Sequence, residues 1–322
     1  MFASDRDGVH PYLRLHLRVR PTGGERCGEP LPAALVRRVL GKALIDTFCP
    51  FGEPRCQAVE PGSEPRPRPQ ELCHLAEPCP YGLLFAASLT PRPPFALYAA
   101  AEGGTPLEIT LLGPAWRLYP WVLAAITQAF RLGLGKERRS WELEAVSRVR
   151  PDRGRELLCG GDLTQLSAAL APDVLGLALE PFLAPQPIEI DLLSPVRFLH
   201  GGRLLPGRAP VPFEVLIARI LDRFQGVFGD GASEMLHPAI RSAIETEAAR
   251  VPLLADETEW REVKDYSART GAELLLGGKV GRLVYGPQAA RFFPILRAGE
   301  ILHVGKNPTA GCGRIEVRLP AA

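Results

Sequence analysis

Residues 188–228, IEIDLLSPVRFLHGGRLLPGRAPVPFEVLIARILDRFQGVF, hold the pattern that decides the fold. Apolar and polar side chains alternate from Ile188, a period of two that reads as a strand pair broken at Pro195. From Phe213 the period changes. Leu216, Ile220, Phe224 and Val227 then share one face, which predicts an amphipathic helix over 213–228. Working toward the carboxy terminus, 259–268 and 274–285 read as two strands, the second interrupted by Gly277, Gly278 and Gly281. A short helix fits 288–296, a closing strand fits 314–319, and 233–250 reads as an inserted helix. The order is β-α-β-β-α-β, the ferredoxin-like arrangement.

The first half carries the same order. Leu13, Leu15, Leu17 and Val19 alternate with Arg14, His16, Arg18 and Arg20, a half-buried strand over 9–20. Val36, Leu40, Leu44 and Phe48 then make a helical stripe over 31–48. Strands are expected at 82–89, 95–100 and 107–112, a helix at 118–132 and a strand at 141–149. A helical stretch at 163–179 and the proline-rich run 181–187 separate the halves. The expected fold class is α+β, two tandem ferredoxin-like (RRM-like) domains. The first spans 1–155 with a cysteine-containing insertion at about 49–80, a helical linker spans 156–186, and the second domain spans 187–322.

Composition agrees with a packed protein. Of 322 residues 46% are hydrophobic and 23% charged, which excludes a disordered chain. The 32 glycines and 33 prolines are scattered, which excludes a collagen-like repeat. No apolar run approaches the roughly 18 residues that a membrane span needs. The first fifteen residues carry Asp5, Arg6, Asp7 and Arg14 without an apolar core, so no secretory signal is read there and a cytoplasmic protein is expected. The formal charge of +2 hides an uneven distribution. Residues 156–260 hold 7 basic and 15 acidic side chains, whereas 261–322 hold 10 and 5, and 131–155 hold 8 and 4. Such asymmetry fits a polyanion-binding surface with an acidic far side, and an ordinary mixed surface fits it as well.

The sheet-face aromatic signature of RNA-recognition domains is absent, so function has to come from sites. The most informative stretch is 299–318, GEILHVGKNPTAGCGRIEVR. Gly305, Gly311 and Gly313 surround Lys306, Asn307 and Thr309 between a short helix and the last strand. Glycines allow a backbone to approach a ligand closely with its amides, and Lys306 and Arg314 supply charge, so phosphate is the natural ligand. The order of a nucleotide P-loop is missing, and no helix follows as a dinucleotide site requires. A tight turn before an edge strand explains the same glycines.

This stretch resembles the carboxy-terminal glycine-rich loop of the RAMP superfamily, in particular the CRISPR-associated endoribonucleases that process precursor crRNA. Other motifs agree. SPVRF at 194–198 followed by Gly201 and Gly202 is similar to that family's strand motif opening the second domain. Asp265, Tyr266 and Ser267, with GGKVG at 277–281 and Tyr285-Gly286, are similar to its central hairpin. Cys73, Cys79-Pro80-Tyr81-Gly82 and Phe85 resemble its cysteine-containing branch. The resemblance is strongest from 187 onward. It implies a partner, CRISPR repeat RNA, and an activity without catalytic cofactor. The ribose 2′-OH attacks the adjacent phosphate, leaving a 2′,3′-cyclic phosphate and a 5′-OH. That chemistry needs a base, an acid and a cation at the crowded phosphate.

Many family members carry a catalytic histidine in or after the first helix, and this chain has none over 31–48. His303, three residues before Lys306, is the first candidate, as catalyst or as a cap on the loop. His16, between Arg14 and Arg18, is the second, as catalyst or RNA contact. Tyr266 and Tyr285 are possible proton donors or stacking partners, or core residues. His200, His237 and His10 read as ordinary surface residues. For RNA binding, the candidates are Arg37, Arg38 and Lys42 on the first helix, Arg203 and Arg208 in a glycine- and proline-rich loop, and Gly305, Lys306, Gly311, Gly313 and Arg314. In the family that helix faces the glycine-rich loop, so its cations would meet the same phosphates as Lys306.

Cys49, Cys56, Cys73 and Cys79 fall in a stretch of little periodicity and are the candidates for a closed structural zinc site, with His74 as a substitute ligand. Unligated thiols are the alternative. Cys27, Cys159 and Cys312 have no partner by spacing. Three functions therefore stand: a repeat-RNA endoribonuclease, a catalytically inactive subunit holding the crRNA end in an effector complex with other CRISPR subunits, and a zinc-stabilised protein scaffold.

Overall fold

The computed structural model describes residues 10–22, 31–51, 73, 79–85, 92–100, 105–135, 137–166, 170–179, 184–229, 232–267 and 272–319. The chain divides into two compact units, residues 11–174 and residues 175–322, with His10 counted in the second.

In the first unit β1 (His10–Pro21) is followed by α1 (Ala33–Phe48), α2 (Pro80–Phe85), β2 (Phe95–Ala99), β3 (Thr105–Leu112), α3 (Tyr119–Leu132), β4 (Trp141–Val149) and β5 (Arg155–Gly160). The sheet runs β2-β3-β1-β4-β5, and every one of these neighbouring pairs is antiparallel. The first four strands have the ferredoxin-like order, and β5 extends the sheet beyond β4. The alternation in β1 sets its register. Leu13, Leu15 and Leu17 are fully buried and pair with Leu111, Ile109 and Leu107 of β3. Val36, Leu40 and Leu44 of α1 and Val122, Leu123 and Ile126 of α3 complete that core.

After β6 (Asp173–Leu175), a short strand of the first sheet that pairs with β1, the second unit repeats the plan with β7 (Ile188–Val196), α4 (Phe213–Phe228), β10 (Leu253–Arg261), β13 (Gly278–Tyr285), α6 (Phe293–Leu302) and β14 (Ile315–Arg318). The order β10-β13-β7-β14 is again ferredoxin-like and antiparallel. Added to it are a short hairpin of β8 (Leu199–His200) and β9 (Arg203–Leu204), the helix α5 (Pro238–Ala248), and a ladder of β11 (Lys264–Ser267) with β12 (Ala272–Leu275). The fold class is thus α+β with two ferredoxin-like units. Among the described residues no helix is long and apolar enough to cross a membrane.

The structure corrects several local expectations. Of the strand expected at 82–89, residues 82–85 belong instead to the helix α2, which starts on Pro80, where a missing N–H costs nothing, and bonds Leu83 N–H to the Cys79 carbonyl at 3.0 Å, while 86–89 lie outside the described residues. Tyr81 and Phe85, four residues apart, stack at 5.3 Å. The helix expected at 163–179 is a 3-10 turn, Leu163–Gln165, capped by the Asp162 side chain, then β6 beyond Pro172. Asp173 is held there by Arg148 at 2.6 Å, so a tertiary ion pair outweighs local helical spacing. Residues 156–160, placed in the linker by sequence, pair with β4 as β5. The last helix extends past Gly299 to Leu302. Gly299 is there for closeness, since a Cβ on it would lie 2.7 Å from Ile220 Cδ1 of α4.

Candidate functional site

The glycine-rich stretch leaves α6 at His303 and is bound, bond by bond, to the end of β7. Val304 N–H donates to the Gly313 carbonyl at 2.7 Å, and Gly313 N–H donates to the Pro195 carbonyl at 3.0 Å. Leu193 N–H donates to the Arg314 carbonyl at 2.9 Å, and Arg314 N–H donates to Ser194 Oγ at 2.9 Å. Within the loop, the Asn307 carbonyl accepts from Ala310 at 2.9 Å and from Cys312 at 3.2 Å. Two glycines are obligatory. Gly305 has φ +81°, and a Cβ there would lie 2.7 Å from the Arg197 carbonyl oxygen; Gly313 has φ +82°, and its Cβ would lie 2.1 Å from the Val304 carbonyl oxygen. Of residues 303–315 only Lys306 is exposed.

The sequence candidates sort by burial. His303 is 2% exposed, and its Nδ1 lies 3.2 Å from the Cys312 carbonyl oxygen, so its ring closes the loop from inside. Arg314 is also buried and donates to the carbonyls of Glu300 and Ile315 rather than facing a ligand. Both placements correct the expectation of surface chemistry at these residues. His16 is 8% exposed, and burial, followed by the Arg155 charge, pushes its pKa down. Tyr285 is fully buried and donates to the Val211 carbonyl at 2.8 Å; burial raises its pKa well above the ordinary value, and its role is packing. The Tyr266 side chain lies outside the described residues; its backbone pairs with Glu273. Gly311, at φ +94°, ends the 3-10 turn of the loop.

Of the first-helix cations, Arg38 and Lys42 are exposed, Lys42 pairing with Asp46 at 2.9 Å, whereas the Arg37 guanidinium lies 5.5 Å over the Phe85 ring. Arg203 and Arg208 are exposed. Sequence reasoning placed His10 on the surface; instead it is buried in the second unit, with Phe224 and Phe228 each 4.8 Å away and its Nε2 2.6 Å from the Ala232 carbonyl oxygen. What it missed is Lys279, buried with Nζ 3.0 Å from Thr258 Oγ1, and Glu300, whose Oε1 accepts Val317 N–H. No sequence signal separates such buried ions from surface ones. A cavity of about 630 Å³ in the first unit, lined by Thr127, Gln128, Arg131, Gly161, Asp162 and Thr164 among others, contains none of the expected residues.

Cys49, Cys73 and Cys79 are half-buried, and Cys73 and Cys79 pack against the first unit's core. Among the described residues no group of three His, Cys, Asp or Glu side chains could hold a metal. Cys56, His74 and Cys27 lie outside the described residues. Burial pushes the Cys312 thiol up to about 12, which makes it inert.

Residues 190–315, which include the whole of this loop and the strand end beneath it, match the family model of the CRISPR-associated endoribonuclease Cas6. This part of the chain therefore resembles the CRISPR Cas6 family. Members of this family are endoribonucleases of CRISPR repeat-RNA processing. A second family model, an N-terminal domain, matches residues 11–170. Among solved structures, a Cas6 product complex is 17% identical with a TM-score of 0.53, over 97% of this chain and 100% of its own. Thermus thermophilus Cas6 is 13% identical with a TM-score of 0.53, over 96% and 99%. A chain of a partial Cas6-RT-Cas1–Cas2 complex is 12% identical with a TM-score of 0.51, over 97% of this chain and 46% of its own. At these identities the likeness establishes the Cas6 fold. No curated protein matches the chain.

The two histidines with lowered pKa make a prediction on stability. His10 and His16 are held neutral by burial, while in the unfolded chain each takes a proton below about pH 6.5. Their folded-state pKa values are depressed, so the stability they leave intact above that pH is lost as pH falls toward the folded values. Each is expected to cost on the order of 1 kcal/mol per pH unit in that window. Melting curves between pH 7.5 and 5.5 check it, and His16→Gln should flatten the dependence.

Proposed function

We propose that this chain binds CRISPR repeat RNA and cleaves precursor crRNA without metal, by attack of a ribose 2′-OH on the adjacent phosphate, leaving a 2′,3′-cyclic phosphate and a 5′-OH. The observation that carries this reading is the braced loop 303–314, in which Lys306 is the one fully exposed residue. A fixed backbone around one exposed ammonium suits a phosphate whose charge grows in the transition state. Exposed Arg203 and Arg208 in the same unit, and Arg38 and Lys42 on α1, supply further backbone contacts.

The test is repeat RNA from the protein's own locus, end-labelled, in EDTA, beside a substrate with a 2′-deoxy at the cut site. Cleavage in EDTA that fails with the deoxy substrate is the expected result. Burial of His303 and His16 favours the second reading, a subunit that holds the crRNA end, and tight binding without cleavage would establish it. Absence of salt-dependent binding would sink both. For the cysteines, packing of Cys73 and Cys79 against the core argues against a metal. Elemental analysis is expected to find no stoichiometric zinc, and about one zinc per chain would restore the four-cysteine site.

A further inference from the structure

The proposed cleavage needs a side chain that moves a proton beside the scissile phosphate, and burial removes most of the histidines from that task. Among the described histidines His10, His16 and His303 are buried, whereas His200 and His237 are exposed. His237 stands at the start of α5 before Pro238. His200 has a different setting. It ends β8 directly opposite Arg203 of β9, and Gly201 and Gly202, with φ +55° and +77°, close the two-residue turn between them. Turns with both φ values positive match the twist of the flanking strands, so this short hairpin holds imidazole and guanidinium at paired positions.

The hairpin grows from the strand end that lies against the braced loop. Phe198, 1% exposed, accepts from Leu205 N–H at 2.9 Å, and the Arg197 guanidinium donates to the Leu275 carbonyl at 2.6 Å. The Arg197 carbonyl oxygen is also the atom that a Cβ on Gly305, next to Lys306, would meet first. The strand end that supports the Lys306 loop therefore continues, three residues later, into His200.

We propose that His200 is the proton-transfer residue of the cleavage reaction, with Arg203 and Lys306 as the cations at the scissile phosphate. The inference rests on the repeat-RNA cleavage reading. The neutral imidazole takes the 2′-OH proton as the O2′–P bond forms and the P–O5′ bond breaks. The leaving 5′ oxygen takes a proton from solvent water, and the hydroxide left behind takes the proton back from the imidazolium.

The experiment is single-turnover cleavage of the repeat RNA in EDTA by the full chain and by His200→Ala, His200→Gln and His237→Ala. Affinity is measured in parallel on uncleavable 2′-deoxy RNA. His200→Ala is expected to slow cleavage by about 10²- to 10⁴-fold, with affinity changed by less than about threefold because a phosphate-binding cation is untouched. Free imidazole should restore part of the lost rate in His200→Ala, and His237→Ala should cleave like wild type. Full-rate cleavage by His200→Ala overturns the inference and leaves the cleavage reading intact. A wild-type chain that binds but never cuts overturns both.

Discussion

Lys306→Ala is expected to lose both grip and rate. In a loop whose other members from 303 to 315 are wholly or partly buried, this is the exposed charge, and the backbone that carries it is tied to β7 by four hydrogen bonds. A lysine that neutralises one phosphate contributes about one unit to the slope of log affinity against log salt, so that slope should shrink by about one. Affinity at moderate salt should fall about tenfold. The rate should fall further, about 10²- to 10³-fold, if the ammonium meets charge that develops only in the transition state. Lys42→Ala on α1 offers the comparison. Its Nζ is shared with Asp46, and the loss should be confined to affinity. Equal effects of the two substitutions on cleavage rate would mean that the loop is one binding surface among several and not the reaction centre.

Much of this architecture is legible in the chain itself. The alternation of Leu13, Leu15 and Leu17 with polar residues marks β1 as a strand with those leucines in the core, although Arg14 and His16 are buried as well and only Arg18 and Arg20 are exposed. The stripe on α4 and the order β-α-β-β-α-β lead to the ferredoxin-like sheets by the same logic. The glycine-rich stretch is legible as a loop needing close approach, and Gly305 and Gly313 meet carbonyl oxygens as glycines in such places do.

What the chain conceals is which side of that loop each charged residue takes. His303 and Arg314 flank the glycines just as Lys306 does, yet hydrogen bonds to carbonyls at Cys312, Glu300 and Ile315 draw them inward. Those bonds depend on long-range pairing with β7, which no local spacing encodes. His200 hides for the opposite reason. It reads as a surface residue and is one, and only the pairing with Arg203 gives its exposure a use. The short sequence HGGR does carry a signal, since two glycines between strand residues mark a two-residue hairpin.

Gly313→Ala is the substitution that tests the loop as a built object. The new methyl would sit 2.1 Å from the Val304 carbonyl oxygen at a φ of +82°, which an alanine also resists. Relief requires Val304 to move, and Val304 N–H is bonded to the Gly313 carbonyl while Gly313 N–H is bonded to Pro195. The left-handed conformation costs about 1–2 kcal/mol, and the two hydrogen bonds add about 0.5–1.5 kcal/mol each, so a loss of about 3 kcal/mol is expected. For a unit of this size that is a fall of very roughly 10 °C in Tm. Gly202→Ala separates the two causes. It also replaces a glycine of positive φ, +77°, but a Cβ there meets nothing within 4 Å, so it should cost only about 1 kcal/mol. Below its melting temperature the Gly313 variant should still lose cleavage, because a displaced Val304 carries Gly305 and Lys306 with it. If instead it melts and cleaves like Gly202→Ala, the loop is soft, and phosphate recognition must come from side chains that find their geometry only when the RNA arrives.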